Sequence, residues 1–188
     1  MRLSKDRILT THVGSLPRSA KVFKLVFAKE DGKKINDKEY SNVIADAVKE
    51  VVKKQYDAGI DVVSDGEQSK ISYATYIKDR LSGFEGDSPR NIPQDLEEFP
   101  EFSKRASRSG GVPSYKRPQC KGSVSVKDIS PLRIDIENFQ NALDRIRYTE
   151  AFLNSASPGV IALFQPNNYY PDHKRYLYAL SDAMKEEY

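Results

Sequence analysis

This chain of 188 residues contains one cysteine, two histidines and no tryptophan, and it has no long apolar run. The lone Cys120 excludes a disulfide bond within the chain, and it shares no metal-ligand spacing with the histidines, so no metal site is predicted. The mean hydropathy of −0.64 gives no indication of a membrane-spanning helix. Because the amino terminus lacks the apolar stretch of a signal peptide, the expected location is the cytoplasm.

Charged residues are abundant, but neither sign dominates. The 30 lysines and arginines exceed the 27 aspartates and glutamates by three. This excess is too small and too dispersed to indicate nucleic-acid binding, although the isoelectric point near 8.8 is compatible with anionic ligands. We expect small-molecule ligands and one domain over residues 1–188.

Short apolar runs alternate with helical patterns, which is typical of strand–helix units around a parallel sheet. The clearest unit is a helix that Asn36 can cap, with Glu39 at its third position and an apolar face that recurs at helical spacing over residues 43–56. Gly59 ends this helix, and a β-branched strand follows at once over residues 60–64. Further strands are predicted at residues 8–13, within 119–126 and at 159–164.

Two more helices are predicted, over residues 136–154 and from Tyr176 towards Tyr188. The segment 83–118 contains five prolines and four glycines without periodicity, which predicts a long loop or insertion. The last helix has no carboxyl-terminal stop signal. We therefore expect an α/β fold of the TIM-barrel type with about four βα units, half of an eight-stranded barrel.

Polar side chains follow the first predicted strand, at the end where parallel α/β folds bind ligands. His12, Ser15 and Arg18 supply an imidazole, a hydroxyl and a guanidinium, and Gly14 exposes backbone N–H groups. These groups can hold a carboxylate or another small anion. The alternative is that the Gly-Ser-x-Pro sequence forms a tight turn with no ligand.

Two further polar clusters follow predicted strands, at residues 65–70 and 165–170. The sequence Asp65-Gly66-Glu67 places two carboxylates just past the end of the β-branched strand over residues 60–64. A carboxylate at that position can hold a substrate ammonium or act as a general base. A solvated acidic turn is the alternative interpretation.

The residues TTHVGSLPR at 10–18 resemble the opening strand of the catalytic barrel in cobalamin-independent methionine synthases. They are especially similar to that of the shorter single-barrel relatives, which include coenzyme M-dependent epoxide transferases. Residues 55–67, QYDAGIDVVSDGE, resemble the family's second strand with its terminal Gly-Glu. Ser114-Tyr115 also fits the pattern, and the resemblance identifies the chain as an amino-terminal half of such a barrel.

The resemblance implies a zinc-dependent transfer of a methyl or alkyl group to homocysteine or another small thiol, in methionine biosynthesis or a related reaction. In the family, zinc binds the acceptor thiol, and the thiolate attacks a methyl donor such as methyltetrahydrofolate. By motif match, Gly14, Ser15 and Glu67 hold the acceptor amino acid. The family's zinc ligands come from the other half of the barrel. This chain alone is therefore expected to bind no zinc and to be inactive.

Two other interpretations remain at this stage. One is a non-catalytic half-barrel that covers its open sheet edges by pairing with a second copy or with a partner half. The other is a decarboxylase similar to the one that acts on uroporphyrinogen, although those barrels lack the motif of residues 12–17.

Overall fold

The computed structural model describes residues 2–88, 94–109 and 116–188. The helices of these residues are α1 (Ala20–Glu30), α2 (Asp37–Asp57), α3 (Ile77–Arg80), α4 (Gln94–Glu98), α5 (Pro100–Ser109), α6 (Ser130–Leu143), α7 (Pro158–Phe164) and α8 (His173–Met184). The strands are β1 (Val62–Ser64), β2 (Phe84–Glu85), β3 (Gln119–Cys120) and β4 (Glu150–Phe152).

Three chain segments run parallel, with β1 between the other two. β1 pairs in parallel with β4, so that Val62 lies opposite Glu150. On its other side, β1 forms a parallel bridge between Val62 and Thr11. The segment around Thr11 is followed by α1 and α2, and α6 precedes β4, so helices connect the parallel segments as in a βα fold. The carboxyl ends of all three segments therefore lie at one edge.

The unit of α2 and β1 confirms the predicted helix and the strand that follows it. Asn36 caps α2 by accepting a hydrogen bond from the backbone N–H of Glu39 at 2.9 Å. The apolar face of α2 is buried against β1 and α6. Gln55 is a buried polar residue on this face, and its amide donates to the carbonyl of Ser64 and accepts from the N–H of that residue. Its hydrogen-bonding groups are thus satisfied, as burial requires.

Apolar side chains form two cores. One joins α1, α2 and α6 around β1, and Val52 and Val63 at its centre are fully buried. The other joins α3, α7 and α8, where Ile161, Tyr176 and Leu180 are fully buried. The polar cluster described below follows β1, which belongs to the first core.

The fourth predicted strand, at residues 159–164, is wrong, because this run forms α7. Ser157 caps the helix by accepting a hydrogen bond from the N–H of Val160, and Pro158 occupies its first turn. Both residues favour a helix start and override the β-propensity of the run. Its apolar side chains pack against α8 instead of lying in a sheet.

The third strand and the helix after it also differ from the prediction. β3 pairs antiparallel with β2 and lies outside the parallel sheet. Helix α6 ends at Leu143, and residues 150–152 leave the helical pattern to pair with β1. The gain in sheet pairing is a tertiary effect that periodicity along the chain does not show. Among the described residues, the sheet around β1 therefore contains three parallel segments, and four βα units are not confirmed.

Residues 83–118, which the sequence predicts to be a long loop or insertion, lie between β1 and α6 in the chain. The described part of this segment contains β2, α4 and α5. Ser114-Tyr115, which fit the family pattern, lie outside the described residues. In the part of the chain that the structure describes, no helix is long and apolar enough to cross a membrane.

Candidate functional site

Two of the predicted site residues meet at the edge where the parallel segments end. The hydroxyl of Ser15 donates a hydrogen bond to Oε2 of Glu67 at 2.5 Å. Ser15 follows the first parallel segment and Glu67 follows β1, so the pairing in the sheet brings them together. Glu67 is only 2% exposed although it carries a carboxyl group. The structure thus places a buried carboxyl group at the position where parallel α/β folds bind ligands.

The backbone at Glu67 adopts a conformation that side chains seldom take, with φ at 54°. The N–H of Glu67 donates to the carboxylate of Asp65 at 3.0 Å, which stabilises the tight turn. Gly66 also has a positive φ, and a Cβ atom there would lie 3.0 Å from the Cβ of Leu16. Uncommon backbone conformations of this kind cluster at functional sites.

Arg18 stabilises the turn at Glu67 through hydrogen bonds to its backbone. Its guanidinium donates to the backbone carbonyls of Glu67 at 2.7 Å and Lys70 at 2.5 Å. Burial lowers the pKa of Arg18 from its ordinary value, while the nearby carboxylate of Glu67 opposes this shift. These contacts bring Arg18 to the site, but its donors are directed at the backbone. Its role as an anion ligand remains a prediction.

Asn154 is a third site residue, and sequence reasoning missed it. It follows β4, and its side-chain N–H donates to Oε1 of Glu67 at 3.0 Å. Its backbone carbonyl accepts a hydrogen bond from the ammonium of Lys70 at 2.5 Å. Because the sequence predicts a helix over residues 136–154, it indicates no strand end before Asn154. A strand predicted at residues 150–152 would have indicated Asn154 as a residue at a strand end.

Gly14 and His12 lie on the same loop as Ser15, but the carboxylate of Glu67 accepts its hydrogen bonds from Ser15 and Asn154. Gly14 has a φ of 93°, and the space around it is open. The backbone N–H groups of Gly14 and Ser15 make no hydrogen bond among the described residues. His12 is half-buried, and its Nε2 has no hydrogen-bond partner in the described part of the chain. Unpaired donors beside an open glycine are suited to bind an anion.

A second carboxyl group, that of Asp65, is buried at the base of the site. Burial raises the pKa of Asp65, and the charge of Lys70 partly offsets the increase. Lys70 is itself buried and lies 4.7 Å from the centre of the Tyr76 ring. The ammonium of Lys70 therefore stabilises the loop of Asn154 by donating to its backbone carbonyl. It forms no ion pair with Glu67 within 4 Å.

The third predicted cluster, residues 165–170, does not join this site, which corrects the expectation that it follows a strand. It follows α7, and its backbone is hydrogen-bonded to β3 through the N–H and carbonyl groups of Cys120. Gln165 is fully buried, and its amide donates to the carbonyl of Ala74. The hydrogen bonds of this cluster therefore join it to Ala74 and Cys120 and not to the candidate site.

The implied zinc does not fit the residues present. Within residues 2–88, 94–109 and 116–188, no group of three or more histidine, cysteine or acidic side chains could hold a metal ion. Cys120 is fully buried and donates to the carbonyl of Gly122, and burial raises its pKa. A buried thiol with a raised pKa is a poor metal ligand.

The fold and the site together define a class. This is a parallel α/β protein whose candidate ligand site lies at the carboxyl ends of the strands. In solved structures, it is similar to a B12-independent methionine synthase from a Shewanella species in complex with selenomethionine. That likeness has a TM-score of 0.65 and 21% identity, and it covers 95% of this chain and 46% of the other. It is also similar to a putative vitamin-B12 independent methionine synthase from Listeria monocytogenes, with a TM-score of 0.62 and 18% identity over 96% and 48% of the two chains.

Comparison of sequences points to one family in this class. Residues 8–94 match the family model described as the catalytic domain of cobalamin-independent synthase. Methionine synthase from Sulfolobus acidocaldarius is 26% identical over 179 residues, which cover 95% of this chain and 46% of the relative. For the enzyme from Saccharolobus islandicus, the identity is 26% and the shares are 95% and 47%. The predicted resemblance to the cobalamin-independent methionine synthase family is confirmed, and the chain spans about half the length of the curated relatives it matches.

Proposed function

We propose that this chain is the acceptor-binding part of a methyltransferase of the cobalamin-independent methionine synthase type. In this proposal it holds the amino-acid portion of a thiol such as homocysteine. The observation that carries the proposal is the buried carboxyl group of Glu67, which is held by two neutral donors and has no cationic partner within 4 Å among the described residues.

A buried carboxylate without an ion-pair partner is costly unless a cation binds to it. The guanidinium of Arg18 lies near Glu67, but it donates to backbone carbonyls and not to the carboxylate. The α-ammonium group of an amino acid supplies such a cation. The free N–H groups of Gly14 and Ser15 lie on the neighbouring loop and can bind the α-carboxylate. The ammonium of the ligand would thus pair with the carboxylate of Glu67, and the carboxylate of the ligand would bind the N–H groups of Gly14 and Ser15. In this arrangement Arg18 stabilises the turn, and His12 lies beside it.

The second part of the proposal concerns the other half of the barrel. The chain spans about half of its relatives, and its described residues provide no set of metal ligands. We therefore propose that the zinc ligands and the site of the methyl donor belong to another segment, on the same polypeptide or on a partner. Zinc would there bind the acceptor thiol as a thiolate. In the absence of that half, the chain binds the acceptor but does not transfer a methyl group.

Binding is tested by titrating the isotope-labelled chain with L-homocysteine and following backbone NMR signals. The matched control ligand is 4-mercaptobutanoate, which keeps the thiol and the carboxylate but lacks the amine. We expect signals of residues near Glu67 to shift, and homocysteine to bind about tenfold or more tightly than the control, since a charge-assisted hydrogen bond contributes that much. Equal affinities would contradict the proposed role of Glu67.

A separate experiment tests whether the chain alone can transfer a methyl group. The chain is incubated with zinc, homocysteine and a methyl-folate donor, and methionine is measured. We expect no methionine, and a native protein mass above 21.3 kDa or a co-purifying second half. Stoichiometric zinc together with methyl transfer by these 188 residues would overturn this part of the proposal.

A further inference from the structure

We propose that Asn154 is a positioning residue for Glu67, which holds the carboxylate in place without neutralising its charge. This inference rests on the proposed function, because it assigns to Asn154 a role in presenting Glu67 to a ligand ammonium.

The two oxygens of Glu67 are held from opposite sides. Ser15 donates to Oε2 from the first parallel segment, and Asn154 donates to Oε1 from the loop after β4. The terminal torsion of a glutamate side chain is broad and has no sharply preferred angle. A single hydrogen bond from Ser15 would leave the carboxylate free to rotate, whereas the two bonds together define its plane.

Ser15 and Asn154 are both neutral donors, so the carboxylate of Glu67 keeps its attraction for a ligand cation. A lysine or arginine in the place of Asn154 would pair with Glu67 and remove its attraction for a ligand cation. The cations near the site are directed elsewhere, and Arg18 donates to the backbone carbonyls of Glu67 and Lys70. Lys70 donates to the backbone carbonyl of Asn154 and lies against the ring of Tyr76.

The loop that carries Asn154 is held independently of its side chain. The bond from Lys70 goes to the backbone carbonyl, so that replacement of the side chain leaves it in place. Two residues further on, the N–H of Ala156 donates to the hydroxyl of Tyr76 at 3.1 Å. A substitution of Asn154 therefore removes the contact with Glu67 while the loop keeps its anchors.

The test compares Asn154→Ala and Asn154→Leu with Ser155→Ala. Leu preserves the branched shape of the side chain without its donor, in case the cavity left by Ala prevents folding. Ser155 is the adjacent residue, and its hydroxyl bonds to Glu187 instead of Glu67, which makes it a matched control. The affinities for L-homocysteine and for 4-mercaptobutanoate are measured by NMR titration on each folded variant.

We expect both Asn154 variants to lose about tenfold in affinity for L-homocysteine and to retain their affinity for 4-mercaptobutanoate, since only the first ligand carries the ammonium. Ser155→Ala should bind both ligands as the wild type does. An equal loss for both ligands in the Asn154 variants would overturn the proposal, because a merely structural role would weaken both.

A second measurement does not depend on a ligand. The folding equilibrium constants of Asn154→Ala, Glu67→Ala and the double variant are compared by urea denaturation in a double-mutant cycle. Alanine is used at position 67 because glutamine would keep an oxygen that accepts from Asn154. We expect a coupling of about tenfold, as for a buried hydrogen bond to a charged group. Additive effects would overturn the positioning role. Coupling without any homocysteine binding by the wild type would support it and contradict the proposed function instead.

Discussion

Ser15 and Glu67 are separated by 52 residues in the chain, yet the hydroxyl of one donates a hydrogen bond to the carboxylate of the other at 2.5 Å. The contact exists because the segments before them are neighbours in a parallel arrangement, joined by the bridge between Thr11 and Val62. Each residue follows the carboxyl end of its segment, so both arrive at the same edge. The two family motifs thus form one site only through the pairing of these segments.

The charge of Glu67 is expected to determine ligand affinity. Glu67→Gln keeps the size of the side chain and removes the negative charge, so L-homocysteine should bind about tenfold or more weakly. The exposed Glu186 provides a control, because Glu186→Gln should leave binding unchanged. Isothermal titration calorimetry or NMR titration measures both. Unchanged affinity in Glu67→Gln would mean that this residue only forms the turn.

Gly66 is expected to tolerate no side chain. An alanine Cβ there would lie 3.0 Å from the Cβ of Leu16 and 3.2 Å from Cγ2 of Val51, in addition to the strain of a φ of 61°. We expect Gly66→Ala to lower the free energy of unfolding by about 1–3 kcal/mol.

The control for this prediction is Gly59, which has a φ of 77° but open space around it. Gly59→Ala introduces backbone strain alone and should cost about 1 kcal/mol. Urea denaturation gives both free energies. If Gly66→Ala were no less stable than Gly59→Ala, close packing at the turn would not be a constraint.

Asp61 is expected to make stability depend on acid pH. The hydrogen bonds from Arg7 and Thr10 hold the pKa of the Asp61 carboxyl well below its usual range. A carboxyl group whose pKa is lower in the folded state stabilises the fold above its unfolded pKa of about 3.9. That stabilisation is lost progressively as the pH falls below this value towards the lower pKa of the folded state.

The measurement is the midpoint of urea unfolding between pH 7 and pH 2. Asp61→Asn should be less stable than the wild type at pH 7, and the difference should shrink as the pH falls. The exposed Asp144 serves as a control, and Asp144→Asn should follow the wild type at each pH. A constant difference between Asp61→Asn and the wild type across this range would contradict the prediction.

Arg80 is expected to be essential for stability. It is buried, and its guanidinium forms ion pairs at 2.6 Å with Asp135 and with Glu187. Removing one partner of a buried ion pair leaves uncompensated charge, here on two carboxylates. We expect Arg80→Met to lower the free energy of unfolding by about 3–5 kcal/mol in urea denaturation.

Arg133 is an exposed arginine of α6 and supplies the comparison for Arg80. Arg133→Met should change the free energy of unfolding by less than about 0.5 kcal/mol. Similar values for the two variants would show that the buried network contributes little to stability.

The helix over residues 43–56, the strand that follows Gly59 and the polar residues after it could be predicted from the sequence alone. In these segments a local rule is sufficient, because the spacing of apolar side chains and a terminal glycine determine the structure within a few residues. The motifs around Ser15 and Glu67 can likewise be recognised, as can the resemblance to the cobalamin-independent methionine synthase family. The sequence by itself therefore determined the class of the protein and two parts of the candidate site.

The tertiary structure decided the rest. Residues 150–152 form a strand because they pair with β1, and residues 159–164 form a helix because Ser157 caps it and its apolar side chains pack against α8. The start of α7 is marked locally by Ser157 and Pro158, but the apolar run itself does not distinguish a helix packed on α8 from a buried strand. The partner strand β1 lies far from residues 150–152 in the chain, so periodicity gives no sign of that pairing. For the same reason, Asn154 became visible as a site residue only when β4 placed it beside Glu67. Local patterns determine elements, whereas contacts between distant segments determine which side chains meet.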